Sequence, residues 1–419
     1  MHIGIPQEIR SGETRVAATP ETVKKLVAQG HRVTLQQGAG TAAYFFDDAY
    51  REAGASIGDA ATALGADIVL KVRAPLPTEW PLLKAGATLV GMLDPFESEQ
   101  LQGLAATGIT GFALEAAPRT TRAQALDVLS SQANIAGYRA VLLATTLYPR
   151  FMPMLMTAAG TVKAARLLVL GAGVAGLQAI ATAKRLGAVV EASDVRPAVK
   201  EQIESLGAKF VDVPFETDEE RAAAEGVGGY ARPMPASWMR RQAERVHERA
   251  KQADIIISTA LIPGRAAPTL IPAETVRAMK AGSVIIDLAA GRGPLVEPSE
   301  LNDMDQADRA DAGDLRHATE GSIGAGASVG ADLPRRGGNC PLSEADRIVV
   351  RHGVQIVGHT NLPAAVPTDA SALYARNVLD FLKLIVDANG QLLIDTSDDI
   401  VAATLVCRDG ALSRAPAGA

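Results

Sequence analysis

A glycine-rich segment near the middle of the chain has the spacing of a nucleotide-binding turn. Gly171, Gly173 and Gly176 directly follow the apolar run Leu167–Leu170, and an apolar helix-forming stretch comes after them. In such a strand–turn–helix unit, the first glycine permits a tight turn and the second lets the backbone approach a pyrophosphate. The third allows close helix–strand packing, and the helix amino end attracts the phosphate charge. The pattern predicts a dinucleotide site, with a turn made only for packing as the weaker alternative.

An acidic residue follows the next predicted strand, Val189–Ala192. Asp194 lies 18 residues after Gly176. A carboxylate in this place accepts the ribose hydroxyls and repels a 2′-phosphate, which favours NAD over NADP. Arg196 weakens the preference for NAD, because an arginine can instead hold a 2′-phosphate. We therefore expect NAD(H) as the cofactor.

Two further segments carry groups that could contact a ligand. The stretch Glu225–Pro235 holds a single aromatic residue, Tyr230, among several glycines and prolines, which predicts a surface loop. A closing flap and a simple turn are equally supported. A polar run leads into a helix at Ala133–Leu143 and fits either a capped, solvated helix entry or the lining of a cleft between domains. The members of this run are Arg119, Arg122, Gln124, Asp127, Ser130 and Gln132.

Isolated cations and histidines carry less information. Arg15 and Lys71 lie at the ends of predicted strands, where each could hold a carboxylate or serve in a structural ion pair. The six histidines have no metal-ligand spacing, so we assign no metal. His359 follows a strand, and hydrogen bonding to a loop is the commoner use of such a residue.

Composition narrows the class of protein. The chain has 419 residues, with 41 Lys and Arg against 47 Asp and Glu, a net charge of −6. Nucleic acid or an anionic bilayer as main partner is disfavoured. Two cysteines and the absence of a secretory signal at Met1–Arg10 indicate a reducing compartment, the cytoplasm. The charge-free run Leu167–Ala183 is short for a membrane span and is interrupted by glycines.

The elements that must position these residues form two successive α/β sets. The first has predicted strands at His2–Pro6, Arg32–Leu35, Asp67–Val72, Thr88–Leu93 and Gly111–Leu114. The second has Arg166–Leu170, Val189–Ala192, Ile255–Thr259, Ser283–Leu288 and Val354–Val357. The segment Ala66–Val69 with Lys84–Thr88 is echoed by Ala253–Ile256 with Lys280–Val284, which favours duplication. Only the second set has a glycine fingerprint, so we expect one dinucleotide per chain.

The last part of the chain is expected to return to the first set. Helical spacing runs over Pro367–Val386, and short strand-like runs follow at Leu392–Asp395 and Ala402–Val406. We predict an α/β fold of two doubly wound Rossmann-like domains joined by long helices. The first comprises residues 1–128 with 365–419, and the second, NAD-binding, comprises 129–364.

Taken together, these motifs resemble the separate NAD(H)-binding component of the proton-translocating NAD(P) transhydrogenases over nearly the whole chain. The resemblance implies a homodimer that docks on an NADP-binding beta subunit attached to a membrane channel subunit, at the inner face of the membrane. The motifs are Gly4–Pro6, Glu13–Pro20, Arg122–Gln124, Asp127 with Leu129–Ser131, Asn134–Ala140, Gly171–Gly176, Gly229–Ala231, Thr259–Gly264 and Gly337–Cys340.

The resemblance also implies site residues. Arg119, Gln124, Asp127 and Ser130 match positions that contact the nicotinamide nucleotide, and Tyr230 matches the tyrosine of a mobile loop. Adenosine-side or loop positions are matched by Val174, Asp194, Val195, Arg196, Gly229 and Leu261. Hydride transfer between nicotinamides needs no acid or base. Gln124, Asp127 and Tyr230 are therefore expected to orient the reactants.

Two departures from the family pattern stand out. Between Asp287–Ala289 and Gly337 the family has only a few residues, whereas Ala290–Arg336 adds 47 here. This insert is rich in Asp, Gly and Ala and has no aromatic residue, so we expect a solvated, partly disordered excursion. No membrane helix follows Val386, which would place the channel in other chains.

The strongest rival is an alanine-dehydrogenase-like enzyme, because that family shares the fold and Arg15 and Lys71 match its substrate-binding positions. Reducing a keto or imino acid needs a proton donor beside the reacting carbon. This sequence has Asp94 where those enzymes place histidine, and Ala290-Gly291 where they place an aspartate. Both changes favour transhydrogenation. A binding-only NAD module is the third possibility, opposed by Gln124 and the tyrosine-bearing loop.

Overall fold

The chain forms two compact units, each with its own sheet. The computed structural model describes residues 1–224, 234–262, 264–296, 335–387 and 389–413. Unit 1 consists of Met1–Ala133 with Pro363–Ala419, and unit 2 of Asn134–Leu362.

Strands and helices alternate through most of both units. The strands are β1 (His2–Ile5), β2 (Arg32–Gln36), β3 (Ser56–Gly58), β4 (Ile68–Arg73), β5 (Thr88–Met92), β6 (Thr110–Ala113), β7 (Leu155–Thr157), β8 (Gly160–Val162), β9 (Arg166–Leu170), β10 (Val189–Ser193), β11 (Lys209–Phe210), β12 (Ile255–Ser258), β13 (Val284–Asp287), β14 (Leu295–Val296), β15 (Arg335–Arg336), β16 (Ile348–Arg351), β17 (Val354–Val357), β18 (Leu405–Arg408) and β19 (Ala411–Leu412). The helices are α1 (Pro20–Ala28), α2 (Asp47–Glu52), α3 (Ala60–Leu64), α4 (Ser98–Ala106), α5 (Val128–Leu147), α6 (Val174–Arg185), α7 (Lys200–Ser205), α8 (Asp218–Ala224), α9 (Ala236–Ala250), α10 (Ala273–Ala278), α11 (Pro367–Ile385) and α12 (Asp399–Thr404).

Unit 1 is built on an eight-stranded sheet in the order β19-β18-β6-β5-β4-β1-β2-β3. The six strands β1 to β6 are parallel, and only β18 and β19 pair antiparallel. Helix α1 begins at Pro20 because Thr19 forms a capping box with Thr22. The strand order reverses between β1 and β4, which makes the carboxyl ends of these two strands the topological switch point.

The carboxyl-terminal part of the chain belongs to unit 1. Helix α11 places Tyr374, Val378 and Phe381 in the core, with the Phe381 ring centroid 5.2 Å from that of Phe112 on β6. Strand β18 then pairs with β6.

Two local predictions in this region were wrong. Ala402–Val406 is not one strand, because the Asp398 carboxylate caps α12 by accepting from the amides of Ile400 and Val401. Leu392–Asp395 makes a single bridge, between Leu392 and Val386, and forms no strand.

Unit 2 carries a seven-stranded sheet in the order β11-β10-β9-β12-β13-β17-β16, parallel except for the edge strand β16. Strand β9 is apolar and buried from Leu167 to Leu170, as expected of a parallel strand that helices cover on both faces. The order reverses between β9 and β12, so these strands frame the switch point. The run Leu167–Ala183 is strand β9, the glycine turn and most of α6. No helix among the described residues has the length and hydropathy to cross a membrane.

The sequence echo corresponds to the same contact in both units. At the start of β1, the His2 amide donates to Asp67 at 3.0 Å, and Lys84 pairs with Asp67 at 2.7 Å. At the start of β9, the Arg166 amide donates to Asp254 at 2.8 Å, and Lys280 pairs with Asp254 at 2.7 Å. In each unit, one carboxylate ties the first strand to the lysine that precedes a later parallel strand.

The ends of the insert pair with each other as the two-stranded ribbon β14–β15. The pairing continues at Gly293, whose amide donates to the Gly337 carbonyl at 2.9 Å. The ribbon is tied to the rest of unit 2 by the Arg292 carbonyl, which accepts from the Ala267 amide at 2.7 Å. Residues 297–334 lie outside the described part of the chain. The expectation of a partly disordered excursion therefore stays a prediction.

Candidate functional site

The glycine turn of unit 2 lies at the carboxyl end of β9, beside the switch point. Gly171 has φ +94°, and a Cβ there would lie 2.7 Å from Thr259 Oγ1. A Cβ on Gly176 would lie 1.9 Å from the Gly171 carbonyl oxygen, so helix α6 packs directly on the turn. A Cβ on Gly173 would meet nothing within 4 Å. The turn is thus closed at its first and third glycines and open at its second, where a pyrophosphate needs room.

The amino end of α6 is formed by the same turn. Gly173 is the N-cap, and no side chain of the described residues caps the helix there. The first-turn amides therefore point out of the helix with the positive end of its dipole, an arrangement that suits an anion. Val174, the first residue of α6, is exposed beside this end.

Asp194, at the end of β10, is joined to the turn and to Arg196. Its Oδ2 accepts from the Ala172 amide at 2.7 Å and from Arg196 Nη2 at 2.9 Å. Its Oδ1 accepts from the amide and the Nε of Arg196, at 2.9 and 3.0 Å. The guanidinium is thus neutralised by the carboxylate that precedes it by two residues. Val195, between them, is half-buried.

The loop after β12 forms the other wall of the turn. Thr259 Oγ1 donates to the Gly171 carbonyl at 2.8 Å, and Leu261 is exposed two residues later. Asn339, beyond the insert, fixes this loop. Its Oδ1 accepts from the Ala260 amide at 3.0 Å, and its Nδ2 donates to the carbonyls of Ala260 and Pro268, both at 2.8 Å.

A buried carboxylate, Asp287, organises the segment around Asn339. Five donors converge on it: the Ser258 and Ser343 hydroxyls and the amides of Ala289, Asn339 and Cys340. Burial raises the pKa of Asp287 in spite of these hydrogen bonds. Burial, together with the nearby Asp287 charge, raises the pKa of Cys340 to about 12, so that thiol stays protonated.

The predicted nicotinamide-side residues lie in one continuous segment of unit 1. A 3-10 turn, Thr121–Leu126, carries Gln124, whose side chain is exposed. Asp127 then caps α5, because its Oδ1 accepts from the Ser130 amide at 2.8 Å and its Oδ2 from the Ser130 hydroxyl at 2.6 Å. Arg119, also exposed, precedes the turn. The capping alternative is therefore present for Asp127 and Ser130, and the nucleotide contacts stay predictions.

The start of this segment is anchored to the carboxyl-terminal part of unit 1. Arg122 pairs with Asp398 at 2.6 Å and also with Asp399. Hydrogen bonding to Arg122 lowers the pKa of Asp398 to about 2.

Arg15 and Lys71 both lie in buried ion pairs. Arg15 donates to Glu13 through Nε and Nη2, at 2.8 and 2.6 Å. Lys71 is 1 % exposed and pairs with Glu79 at 2.8 Å and with Glu8 at 3.4 Å. The structural use of these cations, one of the two alternatives open from the sequence, is the one observed. The three glutamates were not singled out by sequence reasoning, although Glu13 and Glu79 each lie within eight residues of their cation.

Asp94 follows β5 in a left-handed conformation with φ 56°. Its amide donates to Glu115 Oε1 at 2.7 Å, and the Leu93 amide donates to Glu115 Oε2 at 3.2 Å. Burial raises the pKa of Glu115 to about 7. Sequence reasoning missed Glu115, whose signal was an acidic residue two positions after the buried strand β6.

The remaining predicted residues are Gly229, Tyr230 and His359. Gly229 and Tyr230 lie outside the described residues. His359 is half-buried at the end of β17, where burial lowers its pKa. The described residues contain no group of His, Cys, Asp or Glu that could hold a metal ion.

Comparisons with known proteins extend over both units. Residues 4–136 match the family model of the alanine dehydrogenase/PNT N-terminal domain, and residues 140–310 and 327–415 match that of the C-terminal domain. An NAD(P) transhydrogenase subunit alpha protein of Rhodospirillum rubrum is 47% identical, over 98% of this chain and 97% of its own length.

Solved structures agree with this match. A transhydrogenase from Sinorhizobium meliloti has a TM-score of 0.79 at 40% identity, over 98% of this chain and all of its own. An L-alanine dehydrogenase has a TM-score of 0.74 at 25% identity, over 98% of this chain and 96% of its own. The α/β class and the two Rossmann-like sheets are confirmed, and the chain belongs to the family of the alanine dehydrogenases and the NAD(P) transhydrogenase alpha subunits.

Proposed function

We propose that this chain is the NAD(H)-binding component of a proton-translocating transhydrogenase. In this function, hydride passes directly between NADH on this chain and NADP⁺ on a partner domain. The relatives named as transhydrogenase alpha subunits support the coarse assignment. The residues of the site support the finer assignment, hydride transfer between NADH on this chain and NADP⁺ on a partner.

The observation that carries the proposal is the difference between the two switch points. In unit 2 the switch point has an open glycine turn at a helix amino end. In unit 1 it is filled by protein, because Glu8 accepts from the Val72 amide at 2.7 Å and also approaches Lys71. One chain thus offers one dinucleotide turn among its described residues. A second nicotinamide has to arrive on another protein.

The residues of unit 2 fit NAD(H). Gly173 leaves room for the pyrophosphate, the amino end of α6 offers amides, and Asp194 offers a carboxylate to the ribose. Gly171, Gly176, Val174, Val195 and Leu261 complete the set that we assign to the dinucleotide, together with Gly229, which lies outside the described residues. Because Arg196 is neutralised by Asp194, it is not available to a 2′-phosphate, which supports NADH over NADPH.

The protein's contribution to the reaction is orientation. The nicotinamide ring, when bound, supplies the hydride. Arg119, Gln124, Asp127 and Ser130 would hold its ribosyl and amide groups, and Tyr230 would help to exclude water. Effective molarities of about 10⁵ M or more are reached when two reactants are held in attack geometry, so no acid or base is needed.

An alanine-dehydrogenase-like activity is the alternative that the family leaves open. It requires a proton donor near the ring, and this chain has Asp94 where those enzymes place histidine. It also requires cations for a keto acid's carboxylate. Arg15 and Lys71 are already paired with Glu13, Glu79 and Glu8.

The same proposal includes the assembly. We place the chain as a homodimer on an NADP-binding beta subunit, held at the inner membrane face through that subunit and a channel subunit. The relatives are named as alpha subunits, which supports partner chains of this kind.

The test mixes this chain with a purified NADP-binding partner and follows hydride transfer from NADH to an NADP analogue. We expect turnover only when both proteins are present. In parallel, the chain alone receives NADH, pyruvate and ammonia, and we expect no oxidation of NADH. Steady turnover of pyruvate by the chain alone would replace the transhydrogenase assignment by an amino-acid dehydrogenase.

A further inference from the structure

We propose that Asn377, on helix α11, is a positioning residue for the segment that carries Gln124 and Asp127. The inference rests on the proposed function, because it assumes that this segment orients the nicotinamide nucleotide. Asn377 itself contacts no predicted ligand group. It acts through the backbone of the segment.

The contact has two points. Asn377 Nδ2 donates to the Ala125 carbonyl at 2.7 Å, and Asn377 Oδ1 accepts from the Ser131 hydroxyl at 2.8 Å. Ala125 is near the end of the 3-10 turn, and Ser131 is in the first turn of α5. One amide group therefore bridges the two elements on either side of Asp127. Asn377 is 8 % exposed, so its amide group is largely shielded from water.

The backbone needs such a bridge at this place. Asp127 has φ −72° and ψ 86°, which interrupts the helical path between the turn and α5. The Asp127 amide reaches the Gln124 carbonyl only at 3.4 Å, the weak geometry typical of a 3-10 turn. The Ala125 carbonyl takes its donor from α11, 252 residues later in the chain. An amide is the side chain that supplies a donor and an acceptor together.

A second polar residue reinforces the same attachment. Gln132 Nε2 donates to the Ala370 carbonyl of α11 at 3.1 Å, and Gln132 Oε1 accepts from Arg15 at 2.8 Å. Gln132 Nε2 also lies 3.4 Å from the Ser131 hydroxyl. The start of α5 is thus held on α11 by two side chains, and of these two Asn377 is the one that reaches the 3-10 turn.

The bridge matters for the reaction because it fixes the positions of Gln124 and Asp127. Gln124 immediately precedes the bridged residue Ala125, and Asp127 lies two residues after it. A displacement of about 1 Å at a positioning group can cost roughly 100-fold in rate. Loss of the bridge should therefore slow hydride transfer more than it weakens NADH binding, which depends mainly on unit 2.

The decisive variant is Asn377→Asp. It keeps the acceptor for Ser131 and places an oxygen opposite the Ala125 carbonyl, where the amide donated. With the NADP-binding partner present, we expect kcat to fall about 10- to 100-fold at about pH 8, with the Kd for NADH within about threefold of wild type. Protonation restores a donor, so kcat should recover as the pH is lowered, relative to wild type. A purely structural role would lower the free energy of unfolding of the variant but leave kcat and its pH profile unchanged in the folded chain.

The control is Arg376→Ala, the exposed neighbour that pairs with Glu21. It should transfer hydride at the wild-type rate. If Asn377→Asp unfolds, Ser131→Ala removes one end of the bridge and should lower kcat without changing the Kd for NADH.

The outcomes separate the two proposals. No hydride transfer by the wild-type chain with its partner overturns the proposed function and this inference with it. Wild-type transfer accompanied by an unchanged kcat and pH profile in Asn377→Asp overturns the inference alone. An unchanged kcat in Ser131→Ala, where only that variant folds, does the same.

Discussion

Under the proposed assignment, the pairing of Asp194 with Arg196 would make nucleotide choice depend on a single carboxylate. In Asp194→Asn the charge that neutralises Arg196 and repels a 2′-phosphate is lost. We expect the Kd for NADH to rise about tenfold or more and the Kd for NADPH to fall, because the guanidinium becomes available to the phosphate. Calorimetric titration of both nucleotides measures the two changes.

The matched control for this variant is Asp212→Asn, since Asp212 is exposed and pairs with Lys200. It should bind both nucleotides like the wild type. Equal affinity of the wild-type chain for NADH and NADPH would contradict the assignment of Asp194.

Glu115 should make stability fall as the pH rises. Burial raises its pKa to about 7 in the folded chain, from 4.5 when solvated. Between these values the folded chain binds the extra proton, so the free energy of unfolding decreases with rising pH, by about 1.4 kcal/mol per unit and roughly 3 kcal/mol in all. Glu115→Gln should flatten this decline while lowering stability overall, because its NH₂ group opposes a backbone N–H.

Urea unfolding between about pH 5 and pH 8 would measure the slope for the wild type and for both Glu115→Gln and Glu99→Gln. Glu99 is an exposed glutamate on α4, and its variant should keep the wild-type slope. Parallel slopes for wild type and Glu115→Gln would show that another group is responsible.

At the scale of residues, what could be predicted was local in sequence. The glycine turn and Asp194 lie close together in the chain, and their spacing was enough to predict a dinucleotide site. Asn377 and Glu115 act on backbone groups far away in the chain, and no motif marks such a pair. Asn377 had one signal, a polar residue three positions after Tyr374 on a helix face that is mostly apolar.

At the scale of elements, apolar runs predicted the limits of strands correctly where the strand is buried on both faces. The predicted limits of Arg166–Leu170 and Val354–Val357 coincide with β9 and β17. Ala402–Val406 was wrong because hydrophobicity alone does not separate the end of a short helix from the strand that follows. There the cap at Asp398 decides where the helix begins.

The insert should be removable, but only beyond its ribbon. Ala290 is 3 % exposed and Val296 is buried, so the expectation that Ala290–Arg336 is a solvated excursion was wrong at that end. Replacing residues 297–334 by an Asn-Gly turn should leave β14 and β15 paired, since such a turn suits a two-stranded ribbon. We expect cooperative thermal unfolding and NADH binding like those of the full chain.

Removal of Ala290–Arg336 as a whole serves as the contrasting variant. It deletes the carbonyl of Arg292 that accepts from Ala267 and should lower the melting temperature. Loss of cooperative unfolding in the shorter deletion would show that residues 297–334 pack against the core.

At the scale of the whole molecule, the β7–β8 hairpin offers an apolar surface for the proposed homodimer. Phe151, Met154, Leu155 and Met156 are exposed on or beside it, Met156 to 71 %. A two-stranded ribbon with such a surface rarely stands alone in water. Met156→Asp should shift the chain from dimer to monomer in analytical ultracentrifugation, without a change in the unfolding of the monomer.

Leu393→Asp provides the control, because Leu393 is also a strongly exposed apolar residue but lies in unit 1. Its sedimentation should equal that of the wild type. A Met156→Asp chain that remains dimeric at micromolar concentration would move the interface elsewhere.

The return of the carboxyl-terminal segment to unit 1 also fixes an order of completion during synthesis. Residues 134–362 form one continuous stretch of chain that contains every strand of the seven-stranded sheet, whereas the sheet begun by His2 still lacks β18 and the helix that carries Phe381. Domains generally fold as units once their sequence is available. Unit 1 is therefore begun first and completed last. Phe112 on β6 has no aromatic partner until Phe381 has been translated, near the end of the chain.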